Sequence, residues 1–162
     1  MTPLKLSLLA GAGSAALLLA ALGFQAAGYA PCELCILQRW PHLAAAIIAA
    51  LIWLTGQVRL LAVLGMAAAA IAMGLAIYHS GVEMAWWAGP AHCSGGVGNI
   101  AQMSPQDLLT KLQAAPVTRC DEVSWRFLGL SMASWNAICS AVLLVIWSIA
   151  AMRGQNGGKT AN

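Results

Sequence analysis

Four long stretches of this 162-residue chain are almost free of charge, and they leave few folds open. The first, Leu6 to Gly28, has Gln25 as its only strongly polar residue. The second, about Ile36 to Leu54, carries Gln38, Arg39 and His42 at its first end alone. Leu60 to Tyr78 is uncharged and rich in small residues, and the fourth stretch runs from Trp135 to Met152. About 20 apolar residues suffice for a helix to cross a bilayer. The pattern therefore predicts an all-α membrane protein, a bundle of four transmembrane helices in one domain over 1–162. Composition agrees, because only 8% of the residues are charged whereas soluble domains carry roughly a quarter. A net charge of +3 with no basic stripe gives nucleic-acid binding no support.

A cleaved signal peptide is the rival reading of the first stretch, with Ala26, Ala27 and Ala30 as small residues for processing. Its apolar length and the Pro31 that follows Ala30 oppose that, and Pro31 before Cys32 also removes a lipoprotein site. Thr55-Gly56-Gln57 stops the second run, and Arg59 falls in the brief turn, so spans two and three form an antiparallel hairpin. Gly65/Ala69 and Ala70/Gly74 are spaced to let helices approach closely. The spans are expected at about 6–28, 36–54, 60–78 and 135–152, with loops at about 29–35 and 79–134. Within the long second loop, Ser104-Pro105-Gln106-Asp107 reads as a cap, a first-turn proline and an acid. Leu108, Leu109 and Leu112 then share a face, away from Gln106, Lys111 and Gln113. That predicts a short amphipathic helix, either on the membrane surface or packed within the loop.

Four spans put both termini on one side. Lys5, Arg59, Arg153 and Lys159 lie on that side without an acid. The other side holds Arg39, Lys111, Arg119 and Arg126 with Glu33, Glu83, Asp107, Asp121 and Glu122. Long loops translocate largely regardless of charge, so the basic residues of the short segments place the termini in the cytoplasm. Trp40, Trp53, Trp86, Trp87, Trp135 and Trp147 fall near predicted span ends, as an interfacial belt requires.

This orientation puts Cys32, Cys35, Cys93 and Cys120 on the non-cytoplasmic side, where disulfides persist. The fifth cysteine, Cys139, lies within the fourth span and reads as a small buried hydrophobe. Cys35 sits at the start of the second span, where a helix N-terminus stabilises a thiolate. Arg39, four residues on, lies on the same face and can add a cation, or it snorkels to the headgroups. Cys93 and Cys120 occupy stretches with Gly, Pro, Ser and Asp, loops flexible enough to bridge and to let a bridge be attacked; a purely structural disulfide is the alternative. A four-cysteine zinc site usually uses two Cys-x-x-Cys knuckles, and only one pair exists here. His79 closes the third span at the membrane face of Arg39. His42 reads as interfacial, and His92 abuts Cys93.

The run Pro31-Cys32-x-Leu34-Cys35-x-x-Gln38-Arg39 resembles the signature of the DsbB family of disulfide bond formation proteins. Cys120 followed by Trp125-Arg126-Phe127-Leu128-Gly129-Leu130-Ser131-Met132 and Trp135 resembles that family's segment before its last span. The resemblance implies a quinone-dependent protein-thiol oxidase of the bacterial inner membrane, with its redox cysteines facing the periplasm. Its partner would be a DsbA-like periplasmic thioredoxin-fold protein, and its acceptor ubiquinone or menaquinone. It implies that Cys93 forms the mixed disulfide with the partner and that the freed Cys120 attacks Cys32. Cys35 is then released as a thiolate and donates to the quinone, with Arg39 and His79 beside it. Gln38 stands where some members carry Glu, and the loop around Glu83, Trp86, Trp87, Gly89 and Pro90 is divergent.

Two other readings remain. A vitamin K epoxide reductase-like protein also sets Cys-x-x-Cys beside a quinone, but with that motif near its final span. A non-enzymatic scaffold with structural disulfides would move no electrons. The sequence leaves the resting pairing open between Cys32–Cys35 with Cys93–Cys120, and an interloop Cys32–Cys120 bond.

Overall fold

A computed structural model of the protein describes residues 1–90, Cys93, 104–106 and 118–156. Four helices among these residues are long and apolar enough to cross a membrane. They are α1 (Pro3–Ala26), α2 (Glu33–Thr55), α3 (Val58–Glu83) and α4 (Met132–Asn156). The protein is an all-α, multi-pass membrane protein, as the apolar runs predict. The amphipathic helix expected near Ser104 lies largely outside the described residues, as does His92.

Each helix end has a local cause. Thr2 caps α1 by accepting the Lys5 N–H at 3.3 Å, with Pro3 in the first turn. At the end of α2, Gly56 takes the left-handed φ of 70°, and its N–H closes on the Ile52 carbonyl at 2.8 Å. Only Gly56 and Gln57 separate α2 from α3, so the two helices are an antiparallel hairpin, and Arg59 belongs to the first turn of α3 rather than to the connection. α3 continues past Tyr78 to Glu83, carrying His79 and Glu83 in its last turns. Before α4, β1 (Arg126–Phe127) and β2 (Leu130–Ser131) form a small antiparallel hairpin. Its two turn residues, Leu128 and Gly129, both have positive φ, which matches the twist of a tight hairpin.

The helices pack in a ring, α1 on α2, α2 on α3, α3 on α4 and α4 back on α1, with α3 and α4 in the most extensive contact. Small residues set their closeness. Gly65 faces the Trp147 ring so tightly that a Cβ there would stand 2.6 Å from Cε3. Trp147 is therefore fully buried in the core with Ile52, Ala62 and Ala69. This corrects its expected place in an interfacial belt: α4 runs on to Asn156, so position 147 is more than two turns inside the helix. Trp40, Trp53, Trp86 and Trp87 are exposed. Of the two small-residue pairs, Gly65/Ala69 faces the bundle, whereas Ala70 is exposed and a Cβ on Gly74 would meet nothing.

A second buried cluster fills the opposite end of the bundle, and it consists largely of sulfur. Cys32, Leu34, Val82, Cys93 and Cys120 pack together, with Cys35 against them.

Candidate active site

Cys32 is the N-cap of α2. Its extended backbone turns the side chain back over the helix end, where Sγ accepts the Cys35 N–H at 3.2 Å, the bond that Ser or Asp makes in the same position. The geometry brings the two sulfurs of the Cys-x-x-Cys pair to 2.7 Å. Cys93 and Cys120 form a disulfide with Cα atoms 5.4 Å apart, and the Cys120 N–H donates to the Cys93 carbonyl at 3.1 Å. The Sγ atoms of Cys32, Cys93 and Cys120 all lie within 4.8 Å of one another. The pairing left open by the sequence is thus Cys93–Cys120 bonded, with Cys32 and Cys35 side by side and Cys32 at the junction.

The loop disulfide is not the open target its sequence surroundings suggest. Cys93 is 1% and Cys120 0% exposed, because the last turn of α3 and the start of α2 wall them in through Val82 and Leu34. Beside Cys120, Arg119 grips the Asp121 carboxylate with two bonds of 3.0 and 2.7 Å. That guanidinium holds the Asp121 carboxyl below the usual carboxylate range. Cys32 moves the other way: its hydrogen bond with Cys35, its burial and the charge of Cys35 push its thiol up. In the reduced pair Cys32 is therefore the sulfur that holds its proton more tightly than a free thiol.

A chain of polar side chains crosses the bundle behind the sulfurs. His79 Nε2 lies 3.5 Å from Cys32 Sγ, and His79 Nδ1 lies 2.7 Å from Gln38 Nε2. Asn136 Nδ2 donates to Gln38 Oε1 at 2.6 Å, and Asn136 Oδ1 lies 2.9 Å from His42 Nε2. His42 is consequently buried between α2 and α4 rather than turned outward. Glu83 Oε1 stands 3.9 Å from His79 Nε2, and the Glu83 carboxylate accepts from Ser131 Oγ, which itself accepts the Ser134 N–H at the start of α4. Asn136 and Ser131 act through partners 98 and 48 residues away, which no local pattern marks.

Arg39 leans towards α1, where Nη1 donates to Gln25 Oε1 at 2.7 Å and Nη2 to the Ala21 carbonyl at 3.4 Å. Gln25, the one strongly polar residue of the first apolar run, was the available signal for this contact. Arg39 Nε is buried without a partner among the described residues. A cavity of about 210 Å³ opens here, bounded by Leu17 and Leu18 on one side and by Cys35, Arg39, His79 and half-buried Cys139 on the other.

Four helices able to cross a membrane thus hold two cysteine pairs together at one end of the bundle. The sequence model of the family "Disulfide bond formation protein DsbB" matches residues 4–150, and the chain belongs to that family. It is 35% identical over 135 residues to disulfide bond formation protein B of Methylococcus capsulatus, covering 77% of this chain and 79% of that protein. The protein of the same description from Marinobacter nauticus is 31% identical, over 74% of this chain and 73% of its own. That from Aromatoleum aromaticum is 30% identical, over 82% and 81%. No solved structure matches the chain.

Proposed function

We infer that this protein reoxidises a DsbA-like periplasmic thioredoxin-fold oxidant and passes the electrons through its two cysteine pairs to ubiquinone or menaquinone. It would do so in the bacterial inner membrane, with both termini cytoplasmic. The observation that carries this reading is the position of Cys32 Sγ, 2.7 Å from Cys35 and within 4.8 Å of both loop sulfurs. Thiol–disulfide exchange requires a sulfur to reach a disulfide sulfur, and one cysteine here reaches both sides. A partner thiolate attacks Cys93, and Cys120 leaves as a thiolate. Cys120 then attacks Cys32 of the Cys32–Cys35 disulfide, and Cys35 leaves with the electron pair. Because Cys93 is buried, the partner must first displace what covers it.

The cavity tests whether a quinone fits. Its roughly 210 Å³ is smaller than the about 300–1,000 Å³ of sites that enclose whole drug-sized ligands. It suits one ring headgroup and leaves an isoprenoid tail to the bilayer. The unpartnered Arg39 Nε–H is a donor that such a headgroup could use. Cys35, Arg39 and His79 are the residues that would hold it, and when bound it supplies an acceptor for two electrons and two protons. Cys35 offers a sulfur at a helix N-terminus, where negative charge is favoured. Arg39 is tied to α1, so its charge stays on the cavity side of α2, with no carboxylate at ion-pair distance among the described residues.

The test is anaerobic. The purified protein in detergent is mixed with a reduced thioredoxin-fold partner and a soluble quinone, and quinone absorbance is followed. Quinone loss should equal partner oxidation and should vanish in both Cys35→Ser and Cys93→Ser. No loss with a competent partner would contradict the reading, and loss that survives Cys93→Ser would move the point at which electrons arrive.

A further inference from the structure

One backbone carbonyl fixes the sense of the whole polar chain behind the sulfurs. Leu34 O can only accept, so the Gln38 side-chain atom 3.2 Å from it is the amide nitrogen. The same nitrogen lies 2.7 Å from His79 Nδ1. An amide nitrogen can only donate, so Nδ1 must present a lone pair, which excludes the doubly protonated ring. The neutral ring then carries its proton on Nε2. Two neighbours of Nε2 agree with this: the Cys32 sulfur at 3.5 Å and the Glu83 carboxyl oxygen at 3.9 Å both favour an N–H over a lone pair. The remaining link is consistent, with Gln38 Oε1 accepting from Asn136 Nδ2.

We propose that Gln38 is a positioning residue that holds His79 in its Nε2–H form, so that His79 donates a hydrogen bond to the Cys32 sulfur and stabilises it as it leaves a disulfide. The proposal rests on the reading that Cys32 exchanges with the loop cysteines. In the step concerned, the Cys93 thiolate attacks Cys120 of a Cys32–Cys120 disulfide. The Cys93–Cys120 bond forms, the Cys32–Cys120 bond breaks, and the electron pair departs on Cys32 Sγ, with no net oxidation. Cys32 needs help there, because its hydrogen bond with Cys35 and its burial push its thiol up and a sulfur of higher pKa leaves more slowly. Among the described residues its donors are the Cys35 N–H at 3.2 Å, His79 Nε2–H and, when protonated, the Cys35 thiol. The same tautomer makes His79 a poor metal ligand through Nε2. Cys32, Cys35 and His79 have their ligand atoms within 4.8 Å of one another, but the lone pair that a metal needs is taken by a proton. A carboxylate at position 38 would reverse the polarity: it would accept from Nδ1–H and leave Nε2 as a base facing Cys32.

The tautomer can be read directly by nitrogen NMR of the full-length protein in micelles, labelled at its 3 histidines, with His79→Gln assigning the ring. The native ring should show a protonated Nε2 and a bare Nδ1, and Gln38→Glu should move the proton to Nδ1. In a Cys35→Ser background, alkylation of Cys32 by iodoacetamide at pH 7, resolved by peptide mass spectrometry, should slow about tenfold in Gln38→Glu, the size expected for one lost neutral hydrogen bond. Gln38→Met, which adds no buried charge, should populate both tautomers and slow alkylation by a smaller factor. A native ring protonated on Nδ1 would overturn the proposal. So would a proton that moves in Gln38→Glu while Cys32 alkylation stays unchanged. Neither readout uses the partner or a quinone, so failure of the relay assay would leave these results standing, and failure here would leave the relay standing.

Discussion

Ser131 shows how much one side chain at the end of a helix can carry. Its hydroxyl accepts the Ser134 N–H at 3.1 Å, capping α4, and donates to the Glu83 carboxylate on α3. The Glu83 side chain is only 7% exposed, so the loss of that donor would strand a buried carboxyl. Ser131→Ala should cost about 1 kcal/mol for the cap and about 1–3 kcal/mol for the unsatisfied group. The combined loss of roughly 2–4 kcal/mol should appear as a lower midpoint in denaturant unfolding in micelles, with Ser131→Thr restoring most of it. A change within about 0.5 kcal/mol, the range of an ordinary surface substitution, would show that the hydroxyl holds neither partner. Arg39 makes a related point about what a sequence reveals. Its cost at the edge of an apolar span announces that it has a task, while its contacts with Gln25 and Ala21 depend on α1 lying alongside, which no local pattern encodes.

Among the helices, the small residues divide into those that set a crossing and those that do not. Gly65 meets Trp147, and Gly74 meets nothing. Gly65→Ala should therefore overpack the α3–α4 contact and destabilise by about 1–3 kcal/mol. Gly74→Ala, on the same helix, should be neutral or stabilise by up to about 1 kcal/mol through helix propensity. Thermal unfolding of the two variants in one detergent checks the contrast, and equal shifts would contradict the packing described. The spacing of small residues by fours marked both pairs, Gly65/Ala69 and Ala70/Gly74, equally well. Which pair faces a neighbour depends on how α3 is rotated in the bundle, and the choice turns on the one large ring, Trp147, that fills the gap.

Across the molecule, the legible part was what depends on local composition. Four apolar runs gave the four helices, and the Cys-x-x-Cys pair with Arg39 marked one end of the bundle as its chemical end. The helix ends were harder, because Cys32 caps α2 with a sulfur in place of the usual oxygen, and because His79 and Glu83 prolong α3 into a region that charge alone would assign to a loop. The buried network was not legible. Gln38 meets His79 across 41 residues and Asn136 across 98, and His42 is drawn inward by Asn136 although its position near a span end suits an interface. Burial of the Cys93–Cys120 bond is likewise a product of assembly, since α2 and α3 supply the walls. The most direct test of the account is a map of the disulfides during turnover. The protein is mixed with the reduced partner, quenched in acid within milliseconds, alkylated and analysed by peptide mass spectrometry. Transient accumulation of a Cys32–Cys120 linkage in the native protein is the expected result. If Cys32 is found only free or bonded to Cys35 while the partner is oxidised, the sulfurs do not form one relay, and the central claim fails.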